Sequence, residues 1–409
     1  MTPGHAGRKT ALMKQKFSGN FTQQEPIPEA GIAAALRVLQ SGRLHRYNTG
    51  PDEAGEVALL EEEFAAFTGA KYALAVASGG YALGCALRAL GVGPNDAVLT
   101  NGFTLAPVPG AIAAIGARPV FVEMTENLVI DLDHLARLIP ASGATVLLLS
   151  HMRGHICDME RLMALCDAAG IRVVEDCAHT MGGGWNGVAS GRHGIMAAYS
   201  TQTYKHLNSG EGGFLTSDDP DLMARAIILS GSYMLYARHR AAPPPAAFEA
   251  VKWVTPNVSG RMDNLRAAIL RPQLADLPAQ VARWNALYDA VEEGLRNAPG
   301  LRLIERPPEE SIVGSSIQFL LPGATAAQIA ALVAGCAARG VELKWFGGAE
   351  PVGFTSRYDS WRYAEAQSLP ATDRILAGLM DMRLPLTFTV SDARLIAEII
   401  TDELRGALS

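Results

Sequence analysis

The sequence predicts an α/β fold, with a large domain on a mainly parallel sheet covered by helices and a smaller C-terminal α+β domain. Three observations predict it. Short apolar segments alternate with helical patterns from residue 72 to residue 177, the order that places helices on both faces of a parallel sheet. After 177 two apolar segments follow one another with only loop between them. A long helical pattern over 261–297 then leads into a second group of strands and helices.

The elements run in order. Residues 1–25 read as a flexible N-terminal arm: "MTPGHAGRKTALMKQK" is basic and poor in apolar residues, and it lacks the apolar region of a secretory signal. "PIPEAGIAAALRVLQSG" (26–42) reads as a helix, with Pro near its start and Gly just past its end. "EVALLEEEFAAFTG" (56–69) follows with helical spacing. Strands are expected at 72–77, 97–101, 118–123, 144–150 and 171–177, with helices at 81–90, 105–116, 131–139 and 158–170 between them. "GIMAAYST" (194–201) and "GGFLTS" (212–217) read as two further strands, and the Pro-rich "RHRAAPPPAAF" (238–248) as a mobile excursion. The helical pattern over 261–297 is expected to bend or break near Pro272 and Pro278. The division is therefore an arm over 1–25, a large domain over 26–260, a connecting helix over 261–298 and a small domain over 299–409.

Composition excludes several function classes. The chain has 409 residues, 49% of them hydrophobic and 19% charged, which suits a globular protein with a sizeable core. A net charge of -6 gives no reason to expect nucleic acid or an anionic membrane as partner. No apolar stretch reaches the length of a membrane span. Five dispersed cysteines without a CxxC pair argue for reduced thiols in a cytoplasmic protein.

Three features fall where strands end, the place where open α/β sheets bind ligands. In "ASGGYALGCAL", Ser78, Gly79 and Gly80 make the turn into a helix, so free N–H groups with little side chain in the way suit a phosphate. In "VVEDCAHTMGGG", Asp176 closes an apolar strand and His179 follows three residues later; a buried carboxylate needs a partner, although an Asp there also caps a following segment. In "STQTYKHLNSGEGGFL", Lys205 lies among small polar residues between two strands. A desolvated lysine is a nucleophile for carbonyl carbon. A phosphate cradle, a carboxylate and a lysine along one sheet suit pyridoxal 5'-phosphate (PLP).

At these residues the chain resembles the DegT/DnrJ/EryC1/StrS aminotransferases, sugar aminotransferases of PLP-dependent fold type I with a seven-stranded sheet. The resemblance rests on "ASGGYAL" (77–83), "HMRG" (151–154), "EDCAH" (175–179), "STQTYKHLNSGEGG" (200–213) and "NVSGRMDNLRAAILRPQL" (257–274). It implies that Lys205 forms the Schiff base with PLP and moves the proton. It implies that Asp176 pairs with the pyridine nitrogen, that His179 lies against the cofactor, and that Ser78, Gly79, Gly80 and Ser200 hold the phosphate. It further implies a homodimer in which Asn257 reaches the neighbouring subunit's site. Three positions depart from the family pattern: Gly80 stands for a Thr, Leu105 for an aromatic that stacks on the ring, and Asn257 lies four residues before Arg261 rather than two. Phe103 is the expected substitute for the missing aromatic. His45, Arg46 and Arg261 are candidate substrate contacts.

Two other signals carry no site. "GGGWNG" matches a dinucleotide fingerprint, but no helix follows it. "HMRGH" lacks the glutamate of a metalloprotease motif and has a glycine inside, so no metal is expected. The resemblance implies transfer of an amino group from glutamate or glutamine to a keto sugar, a nucleotide-linked keto sugar or a keto cyclitol. Alternatives are a non-sugar acceptor, a sugar dehydratase, which in the family replaces the lysine by histidine, and a regulatory protein that binds cofactor or sugar without turnover.

Overall fold

The computed structural model describes residues 15–50 and 53–408. Seven strands form the main sheet: β1 (Tyr72–Val76), β2 (Ala97–Asn101), β3 (Arg118–Val122), β4 (Val146–Ser150), β5 (Arg172–Asp176), β6 (Met196–Ser200) and β7 (Gly213–Ser217). Their spatial order is β1-β7-β6-β5-β4-β2-β3, and only β7 runs against the rest. The inner strands are buried on both faces, so they carry no polar alternation. Their side chains divide by the two-residue period of a strand. Val98, Val146, Leu148 and Val174 meet one layer of helices, while Leu99, Leu147, Leu149 and Val173 meet the other.

On the first face lie α3 (Gly79–Ala89), α4 (Pro107–Ala113) and α7 (Pro220–Ser230), after α1 (Glu29–Ser41) and α2 (Glu56–Thr68) in the chain. On the second lie α5 (Leu132–Ser142) and α6 (Met159–Ala168). Four of these starts have a chemical cause in a side chain. The carboxylates of Asp131, Asp158 and Asp219 and the hydroxyl of Ser78 accept first-turn N–H groups. The helix over 220–230 was not expected from the sequence, although Asp219-Pro220 is a good helix start.

The long pattern forms a single helix, α8 (Asn264–Leu295), with Pro272 and Pro278 inside it. Buried contacts along its length, from Ala267 to Leu295, hold it in the core shared by both ends of the chain. A four-stranded antiparallel sheet follows: β8 (Arg302–Leu303), β9 (Ser316–Leu320), β10 (Lys344–Trp345) and β11 (Leu379–Arg383), in the order β8-β9-β11-β10. It is accompanied by α9 (Ala326–Ala338), α10 (Pro370–Ala377) and α11 (Val390–Leu408).

Two expectations of looseness need correction. Residues 1–14 of the expected arm lie outside the described residues, but Phe17 and Phe21 are buried and meet Phe388 edge-on at 4.9 and 5.0 Å. The Pro-rich excursion is fastened too. Ala241 accepts the N–H of Ala73 at 3.1 Å, and Phe248 is buried and stacked on Tyr236 at 4.0 Å. No described helix is long and apolar enough to cross a membrane, and the five cysteines are buried and unpaired.

Candidate active site

The chain ends of β4, β5 and β6 bring Ser150, Asp176 and Ser200 to one edge of the sheet. There they line adjoining cavities of about 70 and about 430 Å³ that share Gly79, Gly80, Leu105, His179, Ser200 and Lys205. Parallel register sets Ser150 beside Asp176. The Ser150 hydroxyl donates to Oδ2 of Asp176 at 3.1 Å and accepts from the Thr104 hydroxyl at 2.8 Å. The Ala178 N–H donates to Oδ1 of Asp176 at 3.1 Å. Burial pushes the Asp176 carboxyl up, against the pull of the Ala178 N–H, Lys205 and Ser150. A buried carboxylate facing a cavity with only these partners is set to receive a cationic N–H.

Opposite chemistry governs Lys205. Burial first, then the guanidiniums of Arg153 and Arg383, push its amine down to about 7, while Asp176 opposes them. Nζ lies 2.7 Å from Nε2 of His179. On the other side of the ring, Nδ1 of His179 accepts the N–H of Arg153 at 3.3 Å. Burial, then Lys205 and Arg153, push His179 well below the ordinary histidine range. A neutral imidazole has one N–H, so a ring that accepts at Nδ1 donates at Nε2. The tautomer assigned by these partners thus requires a neutral, accepting amine on Lys205.

The phosphate end follows from the first turn of α3. The Ser78 hydroxyl accepts the Tyr81 N–H, which leaves the N–H groups at the start of the helix facing the cavity edge. Gly79 is required there by close approach, since a Cβ on it would stand 2.8 Å from Cβ of Ser200. At Gly80 the nearest atom to an added Cβ is 3.6 Å away, so the space of the family's Thr is simply open. Leu83, Leu105, Pro107, Val108 and Met152 form apolar walls. N–H donors and a hydroxyl at one end, apolar walls, a buried carboxylate and a neutral amine fit PLP in chemistry.

Not every expected residue is gathered here. Phe103, expected to take over the stacking position, is buried instead with Met124, Met152 and Phe346, edge-on to Phe346 at 5.2 Å. Leu105 faces the cavity. Arg46 is no substrate contact within its own chain: its guanidinium is buried in a two-pronged pair with Glu61 at 2.9 and 2.8 Å and meets His239 at 2.9 Å. His45 is exposed, beside Tyr47. Arg261 donates to the Gly231 carbonyl and lies over the Tyr233 ring at 5.1 Å. Asn257 is exposed and lines neither cavity.

Several residues at the site escaped the sequence reading: Ser150, Met152, Arg153, Tyr204, Phe354 and Arg383. Strand register would have found Ser150, which is the last residue of an apolar strand, as Asp176 is. His151, Glu175 and Cys177 also come together, within 4.8 Å. That cluster is already saturated. Glu175 accepts from His151 at 3.0 Å and from the N–H groups of Gly191, His193 and Gly194, which is the work of a loop anchor.

Comparisons with known proteins bear on the family and the fold. The model of the DegT/DnrJ/EryC1/StrS aminotransferase family matches residues 27–401. A dTDP-3-amino-3,4,6-trideoxy-alpha-D-glucose transaminase of Streptomyces venezuelae is 35% identical over 284 residues, 68% of each chain. An L-glutamine:2-deoxy-scyllo-inosose aminotransferase of Streptomyces lividus is 30% identical over 71% of this chain and 67% of its own. Among solved structures, the aminotransferase TlmJ of Streptoalloteichus hindustanus superposes with a TM-score of 0.81 at 25% identity, covering 96% of this chain and 100% of that one.

Proposed function

The chain belongs to the DegT/DnrJ/EryC1/StrS family and is a PLP-dependent aminotransferase of fold type I, and from that premise we propose that Lys205 moves the proton while Asp176 holds the cofactor ring. The observation that carries this is the Lys205–His179 contact of 2.7 Å with the amine held near pH 7. When bound, PLP supplies an aldehyde for an amine and a pyridinium ring that withdraws electrons from the substrate's amine-bearing carbon. The chain does the rest. Asp176 would keep a proton on the ring nitrogen through its negative charge. The N–H groups of Gly79 and Gly80 and the hydroxyls of Ser78 and Ser200 would hold the phosphate. Leu105 and Met152, on the apolar wall, would help to exclude water. Nζ of Lys205, its amine lowered to about 7, would take a proton from the substrate carbon and return it.

The amino donor is glutamate or glutamine, and the acceptor is a keto sugar, free or nucleotide-linked, or a keto cyclitol. The names of the two relatives support this range, one after a dTDP-linked amino sugar and the other after an inosose and glutamine. A dehydratase reading has no support, because the lysine is present as Lys205 and the adjoining His206 is buried, bonds Ser315 at 3.0 Å and packs on Trp284. It cannot stand in for Lys205.

The working unit is a homodimer in a cytoplasmic setting. Exposed Trp253 and Val254 before it and Val258 after it flank the exposed Asn257 in the chain, and exposed apolar residues of this size favour a covering partner. Asn257 would then complete the neighbour's site. Residues 26–260 carry the cofactor side, 261–298 the connection, and 299–409 part of the substrate side. Purified holoprotein should show a visible band that bleaches on adding L-glutamate or L-glutamine. Borohydride should fix the cofactor on Lys205; a label elsewhere refutes the assignment.

A further inference from the structure

The turn Met152–Gly154 is held in a strained form. Arg153 within it has a left-handed backbone, with φ 57° and ψ 21°, a region that disfavours any residue carrying a Cβ. Such a conformation persists only where the surroundings impose it. The N–H that it presents is aimed at Nδ1 of His179.

What imposes it comes from the small domain. Gln318 on β9 and Asp381 on β11 are register partners. Nη2 of Arg153 stands 2.7 Å from Oδ2 of Asp381. Nε2 of Gln318 donates to Oδ1 of Asp381 at 2.8 Å and to the Ser316 hydroxyl at 2.9 Å. The amide orientation so assigned leaves Oε1 of Gln318 as an acceptor, and it faces Nε2 of His155 at 2.9 Å. Burial, then Arg306, push His155 well below the ordinary histidine range, so a neutral ring donates there. His155 closes the same turn that carries Arg153. The contacts therefore form a closed ring: Arg153, Asp381, Gln318, His155 and back along the chain. Its four members are 0–6% exposed.

We propose that His155 and Gln318, acting through Asp381 and Arg153, are positioning residues that fix the tautomer of His179 and so keep the Lys205 amine an acceptor. While the turn is clamped, the Arg153 N–H occupies Nδ1 of His179, and the ring carries its proton on Nε2, facing Nζ of Lys205. Loosening the turn frees Nδ1 to carry the proton instead. Nε2 then accepts, and an accepting ring favours the protonated lysine. The small sheet thus sets the state of an amine that it reaches only through the turn. This rests on the reading of Lys205 as the reacting amine.

The test uses the chain without cofactor. NMR of isotope-labelled histidine nitrogens, with His179→Gln to identify the signal, should place the His179 proton on Nε2; a proton on Nδ1 overturns the proposal with no further variant. His155→Phe and Gln318→Met change no charge. The charges facing Lys205, Asp176 on β5, Arg153 in the turn and Arg383 on β11, all remain, and His179 and His206 are neutral. Each variant should nonetheless raise the midpoint of PLP uptake against pH by roughly one unit and populate the other His179 tautomer. His155→Gln keeps a donor at the same reach and should restore both. Where His155→Phe fails to fold, Gln318→Met carries the measurement. A lower melting temperature with midpoint and tautomer unchanged shows a merely structural ring and overturns the proposal. Borohydride fixation tests Lys205 and the tautomer tests the ring, so either can fail alone.

Discussion

Nε2 of His179 faces Nζ of Lys205 at 2.7 Å while Nδ1 of the same ring accepts the Arg153 N–H. The relay works in one direction only. Protonating Lys205 would turn both facing atoms into donors, and a ring flipped to accept at Nε2 would aim an N–H at the N–H of Arg153. The geometry therefore belongs to the neutral amine, in line with burial and the neighbouring guanidiniums that lower it to about 7.

A pH dependence follows for the cofactor-free chain. Only the neutral amine attacks an aldehyde, so the rate of PLP uptake should rise with pH and reach half its plateau near pH 7, not above 10 as for an ordinary lysine. Stopped-flow absorbance at fixed PLP reads this directly. Arg383→Gln removes one of the two guanidinium repulsions on Lys205 and should move the midpoint upward. A midpoint that stays at ordinary lysine values contradicts the desolvated amine.

Asp176→Asn keeps the shape of the side chain and removes its charge. Taking one partner from a buried ion pair costs about 3–5 kcal/mol, so PLP affinity should fall by roughly two to four orders of magnitude. Equilibrium dialysis measures it. Without cofactor the direction reverses, because burial already disfavours the Asp176 anion, and the apo variant should melt at the same or a higher temperature than the natural chain.

Gly79 and Gly80 are adjacent and should respond in opposite ways. Gly79→Ala places a methyl 2.8 Å from Cβ of Ser200; overpacking of this kind costs about 1–3 kcal/mol, and the displaced turn should weaken PLP binding. Gly80→Thr enters space whose nearest atom is 3.6 Å away. It should fold normally and hold the phosphate more tightly through its hydroxyl, by about 1 kcal/mol. Melting curves and cofactor titration on the two variants check the contrast.

Much of this architecture was legible in the sequence, for identifiable reasons. Most strands of the main sheet are five-residue segments rich in apolar residues between turn residues; Asp176 and Ser200 end two of them, and Ser78 and Lys205 lie in the loops just after. The misses have physical causes as well. Phe103 and Leu105 lie in a loop, which has no period to say which of them faces the cavity. Pro272 and Pro278 suggested a break, but contacts over the whole length of α8 outweigh two missing N–H groups. Arg383 reaches Lys205 only because the small sheet folds back over the large one, and no local spacing encodes that approach. Arg46 reads as a polar loop residue until its partner, Glu61, is seen facing it across the fold.

That last pair gives a prediction about stability alone. Burial by itself would push Glu61 up, but Arg46 and His239 hold it down to about 2, so its folded value lies below its ordinary 4.5. The sign follows from linkage: the stabilisation is present above pH 4.5 and is lost as pH falls toward 2. Glu61 also accepts the Ala75 N–H of the edge strand β1 at 2.9 Å, so the network pins α2 to the sheet. Arg46→Met should therefore cost about 3–5 kcal/mol, read as a lower melting temperature, while the folded fraction keeps its half-saturation for donor and acceptor. Were Arg46 a substrate contact in its own chain, half-saturation would rise and the melting temperature would barely move. The two measurements together decide between them.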